Sequence, residues 1–144
     1  MKLRPLFLAA ALTGLAAGAV TAAEPQEVRE GLMKKIGGSM GALSAMAKGQ
    51  KPFDADLVKA SLTTISTSIK AFPDQFPAGS EANSEASPKI WENKADFDAK
   101  AASLAADADM VLAQLPADPA ALGLAIGKLG PHCGDCHQVY RLKK

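Results

Sequence analysis

Two cysteines and a histidine carry most of the chemistry open to this chain. Cys133 and Cys136 are its only cysteines. They stand in the string Cys133-Gly134-Asp135-Cys136-His137, which runs on to Tyr140 and Arg141. On a helix, residues three and four apart share a face. Two thiols at that spacing can reach the two vinyl groups of one porphyrin, and His137, four residues after Cys133, is placed to rise to the iron as proximal axial ligand. Cys-x-x-Cys-His is the attachment signature of c-type haem for this reason.

Two rival chemistries use similar residues. A thiol–disulfide redox pair normally opens a helix after a strand, and no strand pattern occurs in this chain. Zinc would need a fourth ligand, and the only other histidine, His132, is adjacent to Cys133, where it closes a tetrahedron poorly. One covalent haem c with its iron is the expected cofactor.

The address agrees with that chemistry. Lys2 and Arg4 precede an apolar run over residues 6–20, and Thr21-Ala22-Ala23 supplies small residues for cleavage. Residues 1–23 therefore read as a secretory signal and residues 24–144 as the mature domain, with the periplasm as destination. An uncleaved anchor is the alternative, but the run is short for a span and no second one follows, so no membrane span is expected in the mature protein. The whole chain has 16 basic and 15 acidic side chains. Removing Lys2 and Arg4 leaves 14 against 15, a formal −1, which offers nothing to nucleic acid.

Four helix-length segments must position the motif. The first, over residues 26–48, spaces Val28, Leu32, Met33, Ile36, Met40, Leu43 and Ala47 at helical intervals and ends at Gly49. The second is capped by Asp54 and stopped by Pro73; its Thr63, Thr64 and Thr67 lean locally towards strand, but the large apolar residues keep a three-to-four spacing. The third covers residues 93–115. The fourth starts at Asp118-Pro119, a cap followed by proline at the first helical position, and runs to about residue 142. Pro131 is expected to kink or break it just before Cys133. Residues 76–88 form one long loop, read as a surface crossover. The pattern predicts an all-α, antiparallel four-helix bundle with haem attached near its C-terminus.

The sixth iron position then decides the function. Met33, Met40, Met46 and Met110 are the candidates in the mature chain, each of them also an ordinary core residue. Gly37, Gly38 and Gly41 lie beyond Met33, either to admit a flat group close to the backbone or to let helices pack closely.

The mature chain as a whole resembles the class II c-type cytochromes, the cytochrome c′ family. The likeness rests on Cys-Gly-Asp-Cys-His-Gln-Val-Tyr-Arg at the end, on Lys48-Gly49-Gln50 and Pro52-Phe53-Asp54 between the first two helices, and on Pro88-Lys89-Ile90-Trp91 before the third. The resemblance implies Cys133 and Cys136 as thioether sites and His137 as axial ligand. It also implies Arg29 and Arg141 near the haem propionates, with Trp91 packed towards the haem. Counting back from the Lys48 turn puts Met33 at the family's distal position, which is similar to the low-spin, methionine-ligated cytochrome c-556 branch. A periplasmic one-electron carrier, serving transient redox partners, is the function implied. The alternative is a five-coordinate cytochrome c′ that binds NO or CO. An enzyme is not expected, because no distal His/Arg pair, nucleophile–base pair or second cofactor motif is present. Family members often pair through their first two helices, so the resemblance alone implies a homodimer.

Overall fold

The computed structural model describes residues 24–143. The expected export signal over residues 1–23 lies outside them. Helices α1 (Pro25–Ala47), α2 (Ala55–Ala71), α4 (Lys94–Ala113) and α5 (Pro119–Tyr140) form the bundle, with a single helical turn α3 (Lys89–Glu92) ahead of α4. Each long helix packs on two others, in the order α1–α2–α4–α5 and back to α1, and the backbones of the diagonal pairs stay more than 8 Å apart, Cα to Cα, among the described residues.

Side-chain pairs show that neighbours run antiparallel. Tyr140 meets Asp96 while His132 meets Asp107, so α5 descends as α4 rises. Phe72 lies against Phe97 while Ser66 bonds Asp109, which reverses α2 against α4. Local sequence sets the joints. Asp54 accepts from the Leu57 N–H at 3.0 Å and Asp118 from the Ala121 N–H at 2.8 Å, both as N-caps. Gly49 closes α1 at φ +69°, a left-handed conformation glycine adopts freely. The threonines of α2 fit a helix because Thr63, Thr64 and Thr67 each return their hydroxyl to a carbonyl one turn back.

One expectation is corrected and two are sharpened. Pro131 does not break α5, which runs without interruption to Tyr140. Pro131 and Gly127 both lie on the exposed face, where water can satisfy the carbonyl that proline leaves without a donor. The third segment ends at Ala113 rather than near 115; Leu115 is 41% exposed and precedes Pro116, a position biased away from helix. Loop 76–88 is more than a crossover. Its Ala86 forms an antiparallel bridge with Arg141, and the Ser87 and Leu142 N–H groups donate to the Tyr140 and Glu85 carbonyls. It is a strap across one end of the bundle, tied to the residues just after the Cys-x-x-Cys-His string.

The core follows the helical periodicity. Leu43, Val58, Leu62, Ile65, Ala108, Leu122 and Leu129 are wholly enclosed. Phe72, Phe76, Phe97 and Tyr140 gather at the strap end in edge-to-face contacts. No helix among the described residues is long and apolar enough to cross a membrane.

Candidate haem site

The antiparallel order brings the start of α1, the end of α2, the start of α4 and the end of α5 to one end of the bundle, and the Cys-x-x-Cys-His string lies there. Cys133 and Cys136 are half-buried, unjoined thiols. Burial pushes both of them up, and Cys136 packs against the core. His137 is more exposed. Partial burial and the neighbouring Arg141 cation hold its proton affinity down, which favours the neutral imidazole that metal ligation needs. An open cleft of about 460 Å³ runs along this side of α5, lined by Glu85, Gly134, His137, Gln138, Arg141 and Leu142, with Lys143 at its edge.

Arg29 is the most informative residue at this end. Its long cationic side chain is nearly enclosed, at 5% exposure. Nη2 donates to the Ser80 carbonyl at 2.8 Å, and the guanidinium lies 4.7 Å over the Phe76 ring. Nε and Nη1 are buried without any partner among the described residues. Burial lowers its proton affinity, and Glu81 on the strap acts in the opposite direction. A buried guanidinium that leaves two donors unmatched is costly unless an acceptor fills the gap. From Phe76 the rings continue through Phe97 to Tyr140, one turn beyond Cys136, with centroid separations of 4.9 and 5.3 Å. The residues present therefore fit a porphyrin carrying two carboxylates: thiols, a neutral imidazole and an unmatched cation share one end.

Arg141 also lies at this end, where its Nε and Nη2 meet Glu85 Oε2 at 2.8 and 2.6 Å. Trp91 sits edge-on to Phe76 at 5.7 Å and donates its indole N–H to the Pro77 carbonyl at 3.2 Å. Met33 is partly buried against the core, one turn after Arg29. At the usual helical rise Met33 is about 12 Å from the start of α1 and Met40 about 22 Å, with His137 about 5 Å from the end of α5. Met46, 1% exposed, belongs to the opposite end, and Met110, 51% exposed, lies outside the core beside Lys128. Gly37, Gly38 and Gly41 have nothing within 4 Å of an added Cβ, so close helix packing among the described residues does not account for them.

Sequence reasoning gave Phe76, Phe97, Ser80 and Asp96 no part in the site. Tyr140 could have been singled out: it continues the Leu122, Leu129 and Cys136 face of α5. His132, set aside as a ligand, has a partner of its own in Asp107 at 2.8 Å.

Comparison with known proteins decides the family. The family model for cytochrome C' matches residues 24–141. The chain belongs to the cytochrome c′ family. It is 62% identical to cytochrome c-556 of Agrobacterium fabrum (strain C58) over 144 residues, covering 100% of this chain and 99% of that one. Its fold is similar to the solved structure of cytochrome c′ from Rhodopseudomonas palustris, with a TM-score of 0.79 at 36% identity over 85% of this chain and 99% of that chain. It is also similar to an NMR-validated structural model of oxidised R. palustris cytochrome c556, with a TM-score of 0.69 at 31% identity over 83% and 98%. As a c-type cytochrome, the protein carries covalent haem c with its iron, and its two cysteines lie near the C-terminus. When bound, that haem supplies a one-electron iron couple.

Proposed function

We propose that this cytochrome is a periplasmic one-electron carrier whose iron is held between His137 and Met33. The observation that carries the reading is the sorting of the methionines by the fold. Met46 and Met110 are placed away from the motif, and Met40 lies two turns deeper than Met33 along α1. Met33 shares the face and the end of Arg29. In this reading His137 offers its neutral imidazole, Arg29 and Arg141 face the propionates, Trp91 stands in the haem surroundings, and Met33 closes the position that a gas or substrate would need. Met/His ligation favours the ferrous state and leaves little ligand rearrangement between oxidation states, as suits a carrier rather than an enzyme. Transient partners would dock on a small patch near the exposed outer side of the motif.

The test is a reduced spectrum with and without CO. A carrier gives sharp α and β bands that CO leaves unchanged. A broad high-spin spectrum that CO converts would replace this reading with a five-coordinate, gas-binding cytochrome c′, which the likeness to the R. palustris protein keeps as the second reading. Export is checked separately, by the mass of the mature N-terminus and by recovery in the periplasmic fraction.

A further inference from the structure

The strap does a specific job at the haem end. Its first turn converges on one atom, the Pro77 carbonyl oxygen. That oxygen accepts from the Ser80 N–H at 3.2 Å, the Ser80 hydroxyl at 2.8 Å and the Trp91 indole N–H at 3.2 Å. Two of the donors lie within the turn; the third comes from α3, which is anchored to the core by Ile90 at 2% exposure. The turn in turn presents two groups to Arg29. The Ser80 carbonyl takes Nη2 at 2.8 Å, and Phe76, 6% exposed, lies beneath the guanidinium at 4.7 Å. Trp91 touches this assembly a second time, edge-on to Phe76 at 5.7 Å.

A guanidinium is planar, so fixing Nη2 and one face fixes the orientation of the whole group, the Nε and Nη1 donors included. Those are the two donors without a partner. We propose that Trp91 is a positioning residue for Arg29: its indole N–H locks the Pro77–Ser80 turn, and the turn fixes the guanidinium so that an unmatched donor is presented to a carboxylate of the bound haem. Trp91 thus acts on the iron's reduction potential through Arg29 and the strap rather than by its own contact with the porphyrin. The inference rests on the haem end described above and is independent of which residue is the sixth ligand.

The test is a double-mutant cycle read as reduction potential on four holoproteins: wild type, Trp91→Phe, Arg29→Leu and the double variant. Phenylalanine keeps a ring against Phe76 and removes the N–H together with one ring of the indole. Spectra recorded first show whether iron ligation is the same in all four, which separates this question from that of Met33. Loss of a cation beside the haem stabilises the ferric form, so Arg29→Leu lowers the potential. Trp91→Phe lowers it by a smaller amount in the wild-type background and leaves it unchanged in the Arg29→Leu background. A Trp91→Phe shift of equal size in both backgrounds, or no shift in the wild type, overturns the proposal. Ser80→Ala loosens the same turn without touching Trp91. It should show the same dependence on Arg29, and it carries the test should Trp91→Phe not fold.

Discussion

The two ends of this bundle are built on different principles. Where α1 turns into α2 and α4 into α5, Leu43, Met46, Val58, Leu62 and Leu122 are at most 1% exposed, and the only ring packed on this unbranched and branched-chain core among the described residues is the partly buried Phe53. At the other end aromatic rings replace the aliphatics, a strap crosses the helices, and polar side chains enter the core. Tyr140 donates to Asp96 at 2.6 Å, and Arg29 keeps two buried donors without acceptors. The first end is finished by the polypeptide alone. The second keeps buried donors that a group with carboxylates and a flat apolar body would meet. Unsatisfied polar groups are rare in folded proteins, so where they persist they mark the place that binds.

The comparison can be broken most severely at the attachment point. Replacing both Cys133 and Cys136 by alanine removes every thioether, and haem staining of a denaturing gel should fall to background. Retained stain would mean attachment elsewhere. Next in size is a cavity at the aliphatic end: Leu122→Ala should cost about 2–5 kcal/mol in denaturant unfolding while leaving spectrum and potential in place. A change in either would show that the ends are not separable.

Arg29→Leu should do the reverse. In haem-free protein, removing a buried, half-satisfied cation is neutral or stabilising, whereas in the holoprotein it lowers the potential. Equal destabilisation of both forms would argue that Arg29 is fully served by the protein.

The Tyr140 phenol is held protonated, pushed up from 10.0 to about 12 by burial and the Asp96 hydrogen bond. A group raised in the folded state contributes stability that is whole below its unfolded value and is lost as pH rises through the folded one. Unfolding free energy should therefore fall between pH 10 and about 12, and Tyr140→Phe should flatten that limb. The smallest effect belongs to the caps: Asp54→Ala should cost about 1 kcal/mol with no spectral consequence.

Much of this was legible in the residues because it is local. Helical spacing, the Asp54 and Asp118 caps, Gly49 and the Cys-x-x-Cys-His string each act within a turn or two of chain. Pro131 does not break its helix because its cost depends on which face it occupies, and tertiary packing sets that face. The strap was illegible for a related reason. Its ties run from Ser80 to Arg29, 51 residues away, and from Glu85 to Arg141, 56 away, and a loop's composition says nothing about such partners. Arg29 could be assigned by family likeness, but only the fold shows that two of its nitrogens are waiting.

The claim that a single methionine at the strap end closes the iron is tested most directly by the spin state of the ferric holoprotein in two variants. Met33→Ala should turn high-spin and gain CO binding after reduction, while Met40→Ala should remain low-spin and inert to CO. A low-spin Met33→Ala protein, or the opposite pattern between the two, would contradict it.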